Sequence, residues 1–186
     1  MENIKEKYNK KVIPQMKEKF GYVNDYQVPK IEKAVINVGV GKIREDKKFI
    51  ETIENNLKRI TGQQPVYTVS KKSISAFKVR EGDKVGLKVT LRGKYLNDFL
   101  QKLINITFPR VRDFQGLDAK KSIDQKGNLN IGFREHIVFP EIKSDEVERI
   151  HGLEIAITTT AKNWEEGYYL LKYLGFPFKE IKETNK

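Results

Sequence analysis

Between Val85 and Arg92 the chain reads VGLKVTLR, a strict alternation that puts Val85, Leu87, Val89 and Leu91 on one side and Gly86, Lys88, Thr90 and Arg92 on the other. A period of two predicts a strand with one face in a core and the other in water. A slip of one residue in its pairing would turn Lys88 and Arg92 inward, so the register is tightly specified. KAVINVGVG obeys the same rule, with Ala34, Ile36, Val38 and Val40 inward and Asn37 and Gly39 outward. PVYTVS, NLNIGFREHIVF and LEIAITTTA read as further strands. Laid side by side, they would gather Asn37, Lys88, Thr90, Arg92, Asn130, Arg134 and Thr158 on one polar face.

Between these strands the apolar period changes to that of helices. Ile4, Tyr8, Val12, Met16 and Phe20 recur every four residues, predicting an amphipathic helix that Pro14 kinks or splits in two. Asp46 is the expected N-cap of a helix carrying Phe49, Ile50, Ile53, Leu57 and Ile60, which Gly62 ends in the left-handed conformation. Leu96, Phe99, Leu100, Leu103 and Ile104 mark a third helix, closed at or near Pro109. Asn163 and Glu166 have capping-box spacing ahead of Trp164, Tyr168, Leu171 and Leu174, with Gly175 and Pro177 behind. Residues 109–128 have no period and read as an ordered loop. With 186 residues, the expectation is a single domain over residues 1–186. Its fold class is α+β: a mainly antiparallel, twisted sheet with helices packed on one face.

Charge narrows the partner. Lys and Arg number 36 against 25 Asp and Glu, a net charge of +11, which repels itself in a compact chain unless a polyanion neutralises it. The alternative is a basic surface that serves only solubility. Catalysis has little to draw on: there is no Cys and there are two His. His136 is expected inside a strand beside Glu135, and His151 at the end of a short polar helix, neither near a catalytic partner. The glycines of NVGVG lack the remaining glycine of a dinucleotide fingerprint and the spacing of a Walker loop, and read as a strand ending in a tight turn. No catalytic residue, cofactor or metal site is assigned. The charged amino terminus, MENIKEKYNKK, predicts no secretory signal, and no stretch approaches the ~20 apolar residues of a membrane span, so a cytoplasmic protein is expected. A basic amphipathic helix on anionic membranes is a further alternative, set aside because the apolar positions of the first helix are needed for the core.

Nucleic acid fits more of the chain. Lys and Arg suit phosphates, while Asn, Gln and Thr suit sugar hydroxyls and base edges. No recognition-helix signature is present, which favours structured RNA over DNA. The segment KKSISAFKVREG, in a loop spanning residues 70–84, sets Lys71, Lys72, Lys78 and Arg80 around Phe77, expected to be buried, and offsets them only with Glu81. With few apolar anchors this connection between two strands is expected to project as a long basic β-hairpin loop, ordered by phosphates.

INVGVG, ITGQQPVYT, KKSISAFKVREG, GLKVTLRG, FPRVRDFQGL, GNLNIGFREHIVFPEI and GLEIAITTTAK, in this order from about Tyr8 to Phe178, strongly resemble the bacterial form of the ribosomal protein L five family. The resemblance implies a protein that anchors 5S ribosomal RNA in the central protuberance and touches the large-subunit ribosomal RNA. It also implies a loop reaching transfer RNA in the peptidyl site, neighbouring central-protuberance proteins, and a bridge to small-subunit protein thirteen. By motif, Asn37, Gln63, Lys88, Thr90 and Arg92 would meet 5S RNA. Lys71, Lys72, Ser73, Phe77, Lys78 and Arg80 would face transfer RNA. Arg110, Arg112 and Arg134 are further candidate RNA contacts. Gln115 stands where the family often carries Arg, and His136 where Gln is common.

Overall fold

The structure, a computed structural model, describes residues 3–41, 43 and 45–179. Helix α1 (Ile4–Lys7) continues through a π-helical turn, Tyr8–Val12, into α2 (Ile13–Phe20). Strand β1 (Ile31–Gly39), helix α3 (Lys47–Thr61), strand β2 (Val66–Val69) and strand β3 (Lys84–Leu91) follow. Helix α4 (Gly93–Lys102) runs through a second π turn, Leu103–Thr107, into α5 (Phe108–Arg110). Then come α6 (Ala119–Ser122), β4 (Leu129–Phe133), β5 (Leu153–Thr159) and α7 (Trp164–Leu174). The strands form one antiparallel sheet in the order β2-β3-β1-β5-β4, giving the α+β class expected.

Pro14 neither breaks the first helix nor splits it. Proline offers no N–H to the carbonyl four residues back and its ring crowds that carbonyl. The helix answers by widening, so that the Ile13 N–H reaches the Tyr8 carbonyl five residues back. Pro109 is met in the same way: the Phe108 N–H reaches the Leu103 carbonyl, and the helix ends at Arg110, next to the proline expected to close it.

The chain divides into two compact units. One comprises residues 1–34, 92–131 and 156–186. Here α1 packs on α4, and α2 with the first π turn packs on α7. Val12, Met16, Leu103, Leu170 and Leu171 are fully buried in it. Gly167 of α7 lies so close to Gly127 that a Cβ on the former would overlap the Gly127 Cα, which is why no larger residue fits at this crossing. Asn163 caps α7 through the Glu166 N–H at 2.9 Å, but the Glu166 carboxylate accepts from Lys162 N rather than completing the box.

The other unit comprises residues 35–91 and 132–155, in which α3 packs on β3. Asp46 caps α3 by accepting from Phe49 N at 3.0 Å, and Gly62 ends it at φ 67°. The two histidines meet here. β4 stops at Phe133, so His136 opens a 3₁₀ turn (His136–Val138) instead of lying in a strand, and His151 follows bends rather than a helix. Both are buried, with rings stacked 3.9 Å apart at 9° and the His151 N–H facing His136 Nδ1 at 3.3 Å. Phe49 meets the His151 ring edge-on. The charges nearby, Arg149 over Phe49 and Asp46, answer each other at 3.8 Å.

Burial, and then the neighbouring imidazole, push the His151 pKa down to about 4, and burial lowers that of His136. The unfolded chain therefore binds more protons than the folded one between roughly pH 6.5 and pH 4. Stability from this pair is complete above pH 6.5 and is lost as the pH falls to about 4, by ~3 kcal/mol for His151. Urea unfolding across this range should show that decline, and His151→Gln should flatten it.

Candidate RNA interface

Burial in β1 and β3 follows the alternation. Ala34, Ile36, Val38, Leu87, Val89 and Leu91 are buried, while Lys88 is exposed and Asn37 and Thr90 are half-exposed. Thr68 of β2 pairs with Gly86 of β3. A Cβ at Gly86 would lie 2.6 Å from Thr68 Oγ1, 3.2 Å from the Val38 carbonyl and 3.7 Å from Asn37 Oδ1. Thr68, Gly86 and Asn37 thus form one row across three strands, and the missing side chain at Gly86 lets the hydroxyl and carboxamide close over it. Gly86 is buried by these neighbours although its position is the outward one. Lys88 stands opposite Val66 beside this row.

The segment after α3 sorts its two glutamines. Gln64 donates to Glu54 at 2.5 Å, while the Gln63 side chain is exposed and has no partner among the described residues. Glu54 also accepts from the Tyr67 hydroxyl, a bond that pushes the Tyr67 pKa up to about 12. A bulge between Thr68 and Val69 brings Lys84 over the Tyr67 ring at 3.9 Å. These contacts tie β2 to α3 and β3 and so hold the outward row in place.

The basic loop is knit by backbone hydrogen bonds rather than apolar anchors. Ser70 N donates to Asp83 O and Gly82 N to Ser70 O. Ile74 and Val79 exchange two bonds around a 3₁₀ turn, Ser75–Phe77, and Lys78 takes φ 50°. Ser73 Oγ accepts from Glu81 N at 3.0 Å, so this hydroxyl is already used within the loop. Phe77, expected to be buried, is 72% exposed. Lys71, Lys72, Lys78 and Arg80 are all exposed.

Arg134, also in this unit, is exposed. So is Glu154 of β5, a carboxylate on an outward strand position that the alternation of LEIAITTTA would have revealed. In the other unit, Arg92 is the N-cap of α4 and reaches Glu32 at 3.7 Å, both about half exposed. Arg110, Arg112 and Asn130 are exposed and Thr158 half-exposed. Among the described residues no group of three or more His, Cys, Asp or Glu could hold a metal ion, and no helix is long and apolar enough to cross a membrane.

Two family descriptions match the chain: "Ribosomal protein L5" over residues 24–80, and the C-terminal part of the same ribosomal family over residues 84–178. A protein of Halothermothrix orenii named "Large ribosomal subunit protein uL5" is 51% identical over 180 residues, covering 97% of this chain and all of that relative. Relatives of the same name in Caldanaerobacter subterraneus and Desulforapulum autotrophicum are 51% and 50% identical, each covering 96% of this chain and 99% of their own length.

The row across β2, β3 and β1 depends on Gly86. Gly86→Val should force Thr68 and the Val38 carbonyl apart at ~1 to 3 kcal/mol, a loss read from chemical denaturation. NMR shifts of Asn37 and Thr68 should change with it, while the circular dichroism signature of the helices is kept.

Proposed function

The chain belongs to the ribosomal protein L5 family, and from that premise we propose that it anchors 5S rRNA in the central protuberance through the outward face of β1 and β3. Membership makes it a structural, RNA-binding protein of the large subunit of the cytoplasmic ribosome, not an enzyme. What supports the 5S reading is the row Thr68, Gly86, Asn37, with Lys88, Thr90 and Gln63 outside the core. Carboxamides and hydroxyls there suit 2′-hydroxyls and base edges, and the cations suit phosphates. Arg92 adds a phosphate contact. Its pairing with Glu32 is no obstacle, because an exposed ion pair is worth only ~0 to 1 kcal/mol.

The loop from Lys71 to Arg80 has a separate duty in this proposal. Its cations and the exposed Phe77 contact transfer RNA in the peptidyl site, a pairing of charge with a stacking surface that suits single-stranded or distorted RNA. Contacts to large-subunit rRNA through Arg110, Arg112 and Arg134, and a bridge to small-subunit protein thirteen, complete the reading.

Filter binding with 5S rRNA tests it. Affinity should fall steeply with salt, by ~0.7 to 0.9 logarithmic units per phosphate contact for each decade; a flat dependence would rule out the electrostatic mechanism. Arg92→Ala should weaken binding by ~1 to 3 kcal/mol, whereas Glu32→Gln should leave it unchanged or stronger. Replacing Lys71, Lys72, Lys78 and Arg80 together by Ala should spare 5S affinity and weaken transfer RNA contact in reconstituted ribosomes. Loss of 5S binding in that variant would show that face and loop do not divide the work this way.

A further inference from the structure

In the unit built from residues 1–34, 92–131 and 156–186, a cleft of about 700 Å³ opens between the start of the first helix and the start of α4. That size falls within the ~300 to 1,000 Å³ typical of ligand clefts. Lys5, Lys30 and Lys94 line it, with Asn9, Asn97 and a single carboxylate, Asp98. None of the three ammonium groups has an ion pair or hydrogen-bond partner among the described residues. Four other cations of this unit are matched: Lys7 donates to the Leu174 carbonyl at 2.7 Å, Lys10 meets Glu6, Lys17 meets Asp25 and Arg92 meets Glu32. Three unmatched lysines thus converge on one concavity, where only Asp98 stands against their mutual repulsion.

Two further features fit an anion. α4, ten residues long, begins in the cleft at Gly93, and its N-cap Arg92 supplies no side-chain acceptor for the first-turn N–H groups. A Cβ at Gly93 would meet nothing within 4 Å, so the approach to that helix end is open. One wall is the Tyr8 ring, fixed because its hydroxyl sits 3.2 Å from the carbonyls of both Val28 and Pro29.

We propose that this cleft is a second RNA site, separate in its residues from the 5S face, that grips the sugar–phosphate backbone of one RNA strand. Lys5, Lys30 and Lys94 take the phosphates, and the carboxamides of Asn9 and Asn97 take 2′-hydroxyls. A polynucleotide is the occupant rather than a free phosphate because the lysines are exposed: each alone binds weakly in water, and only a polyanion adds counterion release at all three. The site rests on the reading that the chain binds RNA, but it does not require that RNA to be 5S rRNA.

The test uses the full chain, ¹⁵N-labelled, titrated with a twelve-residue oligouridylate and with oligodeoxythymidylate of the same length. Cross-peaks of residues 3–9 and 93–97 should shift with the ribo-oligomer, which should bind more tightly than the deoxy one. The variant K5E/K30E/K94E, and its milder counterpart K5Q/K30Q/K94Q, should lower oligouridylate affinity at least tenfold and reduce the salt slope by about 2, at ~0.7 per phosphate on a single strand. Both should keep wild-type affinity for 5S rRNA and a wild-type dichroism spectrum. Unchanged affinity and slope in the folded glutamine variant would overturn the proposal, as would equal binding of the two oligomers or shifts confined to β1 and β3. If wild-type protein failed to bind 5S rRNA while the cleft signals still moved, the anchoring role would fall and the cleft would stand.

Discussion

Burial of one side of each strand is the constraint on which everything else in this protein depends. Ile36, Leu91 and Ile157 are fully buried and their sequence neighbours are not. Each such side chain contributes ~1.5 to 3 kcal/mol on leaving water. Because the side-chain period is two, that burial also dictates that Asn37, Lys88 and Thr90 face out. The outward face is therefore set chiefly by a packing decision made on the other side of the backbone.

Glycine and proline act on this plan in opposite ways. Gly86 removes a side chain so that Thr68 and Asn37 can close into a row, and Gly167 removes one so that α7 can pass Gly127. Pro14 and Pro109 remove a hydrogen-bond donor, and the helices absorb the loss with π turns of five residues ending two positions before each proline. In the first helix this keeps Val12 and Met16 on the buried side.

Charge is distributed unequally among partners. Several cations are answered within the fold, by carboxylates, by a helix carbonyl or by an aromatic ring, as with Lys19 over Tyr169 and Lys84 over Tyr67. Those left over, among them Lys71, Lys72 and Arg80 in the basic loop and Lys5, Lys30 and Lys94 at the cleft, are the ones with free energy to gain from an external polyanion. The excess of positive charge is a property of the composition, whereas its localisation is a property of the fold.

Taken by itself, the sequence determined the features that depend on near neighbours. The strand faces, the caps at Asp46 and Asn163, the left-handed end at Gly62, the helix stop at Gly175 and the outward positions of Asn37, Lys88 and Thr90 were legible from residue types and spacing, whereas Arg92, read as a strand residue, caps α4. Features set by contacts far apart along the chain were not. His136 and His151 are fifteen residues apart and carry no pattern linking them, yet they stack in one core. Phe77 read as buried by its apolar character, but it stands exposed on a short 3₁₀ turn. Ser73 accepts a bond inside the loop, Gln64 is held by Glu54 while the Gln63 side chain has no partner among the described residues, and Lys5, Lys30 and Lys94 converge from three separate segments. Local preference is written residue by residue in the backbone's own periodicity, whereas convergence depends on how distant elements pack, and only the tertiary structure decides that.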